Sequence, residues 1–439
     1  MKIYSPKTLL KISSIIFVSF FGFYIYEIYL NGFNTNYNFW CIQIESNFYM
    51  KVVGNISLPI HCDEGPYRLA SNSIENFFNK SNPYQTRPVY VLIISLIRQL
   101  VELMTFSQIS DYQNFRISMI IIQISFLSAI IFLFSSLMNL TFKTSKDYLI
   151  IILLIGIPGI RWNLLFPSAG NITLLLFLIT LKFATEKSFY NGNKNKIFAI
   201  FSVLSLAHLS SIVYGFILEF FDLMKKRKVQ FKKTFGRIAL LFSFPTIYIS
   251  LVYFSSYSFY DWHTGVYSQF SWIIYELREG TFFNFETLIR HLNTYTKITI
   301  DYINYFFLSI VYLLSLLVIL FFNKKQVPKK IKFSFFINLI IFSFWGLQGI
   351  YETFRFTNYS IGYFIFISIY ILIIEAFDKN KYLIFSMIFY LISIDYLGPY
   401  NEEIRFATFN NTTYFSVLLF SVFIYKQIKL EIEKVNNDS

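Results

Sequence analysis

The chain has 439 residues, of which 55% are hydrophobic, 21% aromatic and 14% charged, and its formal net charge is +13 at pH 7. Its apolar runs of about 20 residues, long enough to cross a hydrocarbon core of roughly 30 Å, exclude a soluble globule and predict an all-α, polytopic membrane protein. The lysines and arginines form short clusters between these runs, as positive-inside topology requires, so no nucleic-acid partner is expected.

The first predicted element is a membrane helix over residues 9–30. Lysines lie at its amino end and no small-residue cleavage site follows, which is typical of an uncleaved signal anchor with a cytoplasmic N-terminus. The next loop, residues 31–116, is then external. It contains both cysteines of the chain, Cys41 and Cys62. A disulfide formed in an oxidising compartment and two free thiols are equally supported.

The stretch HCDEGPYRLA in this loop concentrates charge in a chain that has little of it. One interpretation is that Asp63 and Glu64 cap a helix beginning near Pro66, because acidic residues and proline favour a first helical turn. A second is catalytic, because a carboxylate at a dry membrane interface can have a raised pKa and serve as a base. A third is a divalent-metal site of His61, Asp63 and Glu64, although three adjacent residues rarely all face one ion.

Two later apolar segments conflict with the charge pattern if each crosses the membrane once. Residues 88–105 contain Arg98 and Glu102 and are predicted to lie at the external interface, because a second crossing there would put the next basic cluster on the wrong side. Residues 197–222 lie between two basic clusters. They are predicted to form two half-length helices that enter and return, broken near His208.

The remaining apolar runs predict about ten crossings and a cytoplasmic C-terminus, in a single transmembrane domain over residues 1–439. The predicted spans are 9–30, 117–140, 147–161, 172–186, 238–258, 298–322, 333–351, 358–377, 382–397 and 413–426. The basic clusters at their cytoplasmic ends are 143–146, 182–196, 225–233, 323–332, 378–381 and the tail after Lys426. The predicted external segments are 31–116, 162–171, 259–297, 352–357 and 398–412.

Several motifs follow one another in an order that resembles that of a known family. They are Asp63-Glu64, Tyr67 and Ala70; TRPVYVLIISLI at 86–97; LLFPSAGN at 164–171; the split segment 197–222; and RFTNYSIGYFIF at 355–366. Over roughly residues 1–377 this order resembles that of the GT-C membrane glycosyltransferases, in particular the protein mannosyltransferase and lipid A aminoarabinose transferase branch. No single motif is specific, so the order and the topology carry the resemblance.

The resemblance implies an integral protein of the bacterial inner membrane that transfers a sugar from a polyprenyl-phosphate donor, with inversion at the anomeric carbon. The acceptor would be an envelope glycan, lipid or protein on the external face. Such transfer needs a general base, implied to be Asp63 with Glu64 beside it, and cations that stabilise the departing phosphate. The residues implied to bind substrate are Tyr67, Arg68, Arg87, Arg355 and Tyr359.

The arginines also have simpler interpretations. Arg355 can form an ion pair with Glu352, three residues earlier, and an arginine at an interface, such as Arg68 or Arg87, can anchor to lipid headgroups.

The chain departs from the family pattern at two positions. Asn171 follows Gly170 where the family often has an aspartate, and His208 lies between the half-helices where many members have a lysine. The roles of those family residues therefore do not transfer to this chain.

Two other functions remain open. An O-antigen polymerase or ligase would use a similar lipid-phosphate substrate and is expected to have a large external loop with arginines in its second half. The 259–297 loop, with Arg278 and Arg290, keeps that alternative open. A lipid or polysaccharide transporter is the non-enzymatic alternative, for which inverted repeats and charges at mid-membrane depth are expected. No Walker loop, dinucleotide fingerprint or zinc-spaced cysteine set occurs, so the motifs imply no organic cofactor.

Overall fold

The structure of the chain is a computed structural model. It describes residues 6–31, 49–53, 56–59, 64–79, 85, 87–105, 108–160, 170–186, 194–208, 210–225, 231–255, 279–281, 284–286, 289, 293, 296, 306–323, 325–348, 362–393 and 411–438. Within these ranges the chain is helical apart from one short antiparallel hairpin and the connecting turns.

The helices are numbered here in chain order. They are α1 Pro6–Asn31, α2 Glu64–Ala70, α3 Ile74–Phe77, α4 Pro88–Thr105, α5 Asp111–Leu137, α6 Ser145–Ile155, α7 Gly170–Thr185, α8 Lys194–Ser205, α9 Ser210–Lys225, α10 Phe231–Phe254, α11 Phe307–Phe322, α12 Lys329–Gln348, α13 Tyr363–Ile371, α14 Lys381–Ser393 and α15 Asn411–Asp438. A π-helical turn, Leu372–Ala376, continues α13.

Each of the ten predicted spans overlaps one of these helices. Among the described residues, three helices are long and apolar enough to cross a membrane, namely α4, α5 and α10. By length and composition alone α4 could therefore be a membrane-spanning helix, although the sequence predicts that residues 88–105 lie at an interface.

The two strands, β1 Tyr49–Val53 and β2 Ile56–Pro59, were not predicted from the sequence. They pair antiparallel, with Tyr49 opposite Pro59. The local sequence does carry the signal, because Gly-Asn at positions 54–55 stands between β-branched residues, and such pairs favour tight hairpin turns. The hairpin falls within residues 31–116, which the sequence predicts to be external.

The chain divides into two compact units. Unit 1 comprises residues 1–12, 131–160 and 269–439, and unit 2 comprises residues 13–130 and 161–268.

In unit 2, α8 and α9 form an antiparallel helical hairpin. The helix is interrupted at residues 206–208, where the sequence predicts a break near His208, and the chain then turns back. The Ser211 hydroxyl donates to the carbonyl of Phe201 at 2.8 Å, and Lys194 Nζ lies 2.8 Å from an Asp222 carboxylate oxygen. The start of α8 therefore meets the end of α9, so the hairpin has a tip at the break and a base at this ion pair.

A buried cluster of charges fastens the hairpin base to α10. Arg237 donates from Nε and from a terminal nitrogen to the Glu219 carboxylate at 2.6 and 2.5 Å, and its terminal nitrogen lies 3.2 Å from Asp222. The Thr234 hydroxyl donates to Glu219 at 2.7 Å. The side chains of Arg237, Glu219 and Asp222 are 6%, 3% and 5% exposed. We call Lys194, Glu219, Asp222, Thr234 and Arg237 the hairpin-base cluster.

In unit 1, a fully buried carboxylate joins two turns. Asp147 accepts from the backbone N–H of Phe142 at 2.8 Å and forms an ion pair with Lys379. Phe142 and Lys379 have φ values of 56° and 53°, in the left-handed region that costs a non-glycine residue about 1 kcal/mol or more. Both turns belong to clusters predicted to be cytoplasmic, so their contact agrees with placing them on one side.

Candidate functional site

The candidate site begins with a buried tyrosine on α2. Acidic residues at the start of α2 and Pro66 in its first turn favour the helix there. Tyr67 follows and is fully buried, with its ring edge-on to Tyr90 of α4 at a centroid distance of 5.5 Å. Its phenolic oxygen accepts a hydrogen bond of 2.7 Å from a terminal nitrogen of Arg87. Two residues that the sequence predicts to bind substrate, Tyr67 and Arg87, are therefore in direct contact.

The tip of the α8–α9 hairpin meets the start of α4 at the same place. The backbone N–H of Val89 donates to the carbonyl of Leu206 at 3.1 Å. This bond satisfies one of the N–H groups that the first turn of a helix leaves without an intrahelical partner. The break in the hairpin is thus held against the Arg87-Pro88 segment.

His208 at the hairpin tip is buried and neutral. The Ser210 hydroxyl lies 2.7 Å from His208 Nδ1, and the Ser210 N–H points to the same nitrogen at 3.4 Å, so Nδ1 is the accepting nitrogen. Burial, together with a smaller effect of the Arg87 charge, lowers the pKa of His208 to about 3. At neutral pH the positive charge at this place is therefore that of Arg87.

A third contact anchors the segment that leads into α4. The fully buried Gln85 donates through its side-chain amide to the backbone carbonyl of Asn79 at 2.7 Å. The backbone carbonyl of Gln85 accepts from the hydroxyl of Tyr248 on α10 at 2.9 Å. Tyr248 lies 14 residues after Thr234 on α10, or about 21 Å along the helix axis. The site and the hairpin-base cluster are therefore at opposite ends of α10.

Arg68, the next residue on α2, belongs to a separate ion-pair cluster. Its guanidinium lies 3.2 Å from Asp111, which also pairs with Arg98 of α4. Arg98 is buried and donates to the Arg68 carbonyl at 2.8 Å and to the Ser71 hydroxyl at 2.7 Å. The Arg68 side chain stays 35% exposed. A guanidinium carries five N–H donors, so this ion pair is compatible with phosphate binding, which stays a prediction.

The other predicted site residues lie outside the part of the chain that the structure describes. These are His61, Asp63, Arg355 and Tyr359, together with the side chain of Glu64 and both cysteines. By its position Asp63 immediately precedes the first residue of α2, so the capping interpretation and the catalytic one both stay open. In the described ranges there is no group of three or more metal-ligating side chains, and the metal hypothesis at His61, Asp63 and Glu64 stays untested.

No family model, curated protein or solved structure matches this chain.

The site also includes residues that were not predicted from the sequence. Tyr90, Gln85 and Tyr248 hold Tyr67 and the start of α4 in place. Tyr90 could have been found, because it lies three residues after Arg87 and so returns to the same face of a helix that starts at Pro88. The bond between Tyr248 and Gln85 spans 163 residues of sequence, and no local pattern indicates it.

Asn171, at one of the departures from the family pattern, has a structural partner. It is fully buried at the start of α7, and its side-chain amide donates to Gln123 of α5 at 2.8 Å. A buried amide pair of this kind joins two apolar helices. This contact gives Asn171 a packing role that requires no carboxylate.

Proposed function

We propose that the chain is a GT-C-like membrane glycosyltransferase that transfers a sugar from a polyprenyl-phosphate donor to an acceptor on the external face. One observation carries the proposal: three motifs that are distant in sequence meet in unit 2. The Tyr67 hydroxyl binds Arg87, and the residue after Pro88 binds Leu206 at the tip of the split helix. The resemblance predicted these motifs only by their order, so their meeting is independent support.

The exposure pattern of α4 supports an interfacial position. One face is buried in unit 2 through Tyr90, Ile94, Arg98 and Val101. A second face is apolar and exposed through Leu92, Leu96, Leu100 and Leu103. Gln99 and Glu102 are exposed along the strip between the two faces. Separate protein-facing, lipid-facing and water-facing strips suit a helix lying in the membrane surface better than one surrounded by hydrocarbon.

The dimensions of the hairpin support a re-entrant segment. Its arms have 12 and 16 residues, or about 18 and 24 Å, which is shorter than a hydrocarbon core of roughly 30 Å. The ion pair between Lys194 and Asp222 brings the two outer ends together, so the chain leaves on the side from which it entered. In this arrangement the base of the hairpin is cytoplasmic and its tip lies at the active site. About ten other helices cross the membrane.

In the proposed mechanism each group has one task. Asp63 accepts the proton of the acceptor hydroxyl, and Glu64, the first residue of α2, supports it. Arg87 and Arg355 bind the phosphate of the donor, which stabilises the negative charge that develops as the glycosidic bond breaks. Tyr67 fixes the Arg87 guanidinium through the 2.7 Å hydrogen bond and thereby sets its direction.

The decisive experiment is the substitution Asp63→Asn in the purified enzyme, with turnover measured on a polyprenyl-phosphate sugar. Asparagine is as good a helix cap as aspartate, so the capping role alone leaves activity almost unchanged. Loss of a positioned base lowers turnover by about 10² to 10⁴ while donor binding is retained.

The matched control is Glu75→Gln, which neutralises an exposed carboxylate in the first turn of α3, in the same loop. This variant is expected to keep the parent turnover. Normal turnover of Asp63→Asn, or an equal loss in both variants, removes Asp63 as the base.

A further inference from the structure

In unit 1, lysines from separate parts of the chain meet around the turn between the π-helical turn and α14. Lys330 Nζ lies 2.5 Å from Glu375, and Lys325 donates to the carbonyl of Ala376 at 3.4 Å. Lys426 of α15 donates to the Tyr382 hydroxyl at 2.9 Å. These contacts join the α11–α12 loop, the turn at 375–382 and α15 into one surface. We call it the lysine face, made of Lys325, Lys329, Lys330, Lys379, Lys381 and Lys426.

The lysine face carries an excess of positive charge. Among the described residues its six lysines stand against three neighbouring carboxylates, those of Asp147, Glu375 and Asp378. Two of these carboxylates are already engaged, by Lys379 and Lys330. The exposed lysines Lys325, Lys329, Lys381 and Lys426 have no carboxylate partner within the described ranges.

Two of these ammonium groups contact the same aromatic ring. The Nζ atoms of Lys381 and Lys426 lie 5.4 and 4.1 Å from the ring centroid of Tyr382. Cation–π contacts of this length hold a charge in place without neutralising it. The two lysines therefore offer two positive charges beside one tyrosine ring to an anion.

Exposed aromatic residues next to the lysines indicate what kind of anion this is. Phe321 and Phe322 form the last turn of α11, just before Lys325, and are 80% and 73% exposed. Large apolar side chains beside cations suit the border between hydrocarbon and headgroups, where a lysine reaches the phosphate while the ring stays in the acyl region. A soluble polyanion would leave both rings in water.

We propose that the lysine face binds the headgroups of anionic phospholipids in the cytoplasmic leaflet. The proposal rests on the membrane placement given under the proposed function, but not on the transfer reaction. Each lysine near an anionic surface strengthens binding by about fivefold. Loss of Lys381 and Lys426 together is therefore expected to weaken binding on the order of 25-fold.

The test is a titration of the full-length protein, in an uncharged detergent, with phosphatidylglycerol or with phosphatidylcholine. Native mass spectrometry counts the bound lipids and yields Kd values. The parent protein should prefer phosphatidylglycerol, and Lys381→Gln/Lys426→Gln should lose that preference. The control, Lys232→Gln/Lys233→Gln, removes the same charge from two exposed lysines of α10 in another predicted cytoplasmic cluster, and it should weaken binding less than Lys381→Gln/Lys426→Gln. A second variant, Lys325→Gln/Lys329→Gln, leaves the Tyr382 contacts intact and is also expected to bind more weakly.

Three results would overturn the proposal: no preference for phosphatidylglycerol in the parent, equal losses in the lysine-face and control variants, or full competition by millimolar inorganic phosphate. The last result would identify a site for free phosphate rather than for a lipid headgroup. No sugar donor is present, so the outcome is separate from that of the Asp63→Asn assay.

Discussion

Replacement of Arg237 by methionine tests whether the hairpin-base cluster holds unit 2 together. The substitution keeps an unbranched, apolar side chain in place but removes both hydrogen bonds to Glu219 and the ion pair with Asp222. In the part of the chain that the structure describes, Asp222 still has Lys194, whereas Glu219 keeps only the Thr234 hydroxyl. The main consequence is therefore one buried carboxylate without a counter-charge.

The size of the effect follows from burial. Removing one partner of a buried, hydrogen-bonded ion pair costs about 3 to 5 kcal/mol, because the remaining charge stays desolvated. For a unit of about 230 residues, 1 kcal/mol corresponds to roughly 2 to 4 °C in the unfolding midpoint, so a decrease of at least about 6 °C is expected. The measurement is thermal unfolding of the purified protein in detergent.

Two further variants separate this explanation from a general sensitivity to mutation. Arg237→Met combined with Glu219→Gln neutralises the stranded carboxylate, so most of the lost stability should return. Lys429→Met breaks the exposed ion pair with Glu433 at 3.8 Å and should cost less than about 0.5 kcal/mol. A midpoint for Arg237→Met that matches that of Lys429→Met would refute the buried-cluster argument.

Four other outcomes are expected. Tyr67→Phe should lower stability by about 1.5 kcal/mol in the same unfolding assay, because it removes the acceptor of the charged hydrogen bond from Arg87; an unchanged midpoint would mean that the bond contributes nothing. Gly215→Ala should destabilise by about 1 to 3 kcal/mol, since its Cβ would lie 2.7 Å from Leu241, whereas Gly236→Ala, in open space on α10, should stabilise by about 0.5 to 1 kcal/mol. The folded pKa of His208, about 3, lies below its ordinary value of 6.5, so the folded state binds fewer protons and stability should fall by up to about 1.4 kcal/mol per pH unit as the pH drops from 6.5 towards 3; His208→Gln should flatten this dependence, and an identical pH profile would contradict it. In a background without native cysteines, an impermeant thiol reagent should label Gln108→Cys from outside and Met224→Cys only from the cytoplasm, both being exposed positions, and the reverse pattern would contradict the proposed topology.

The helices could be predicted from the sequence because their signal is local. Long apolar runs specify membrane-length helices, and the polar residues around His208 interrupt such a run, so the paired helices α8 and α9 were expected. The β1–β2 hairpin also has a local signal, the Gly-Asn pair in the sequence at positions 54–55, but the apolar pattern that identified the other elements is absent from this part of the sequence. Composition therefore predicts the apolar helices better than it predicts the short elements in the more polar segments between them.

The contacts within the site could be predicted only as a set of candidates. Tyr67 and Arg87 were singled out from the motif order, but nothing in the sequence indicates that they bind each other. Arg237 lies just beyond the 225–233 basic cluster, which indicates topology, yet it is buried and paired with Glu219. An arginine that anchors a chain end and one that neutralises a buried carboxylate look alike in sequence, because the partner is chosen by tertiary packing.

The α8–α9 hairpin also fixes a distance within unit 2. Its base is fixed to α10 by charge, and its tip is fixed to α4 by a 3.1 Å backbone hydrogen bond. Removing one helical turn from each arm would move the tip by about 5.4 Å along the hairpin axis, farther than that hydrogen bond can stretch. The length of the arms therefore sets how far the candidate site lies from the hairpin base. Any change in that length must be matched by a shift of α4. The length of the hairpin arms and the position of α4 are therefore expected to change together.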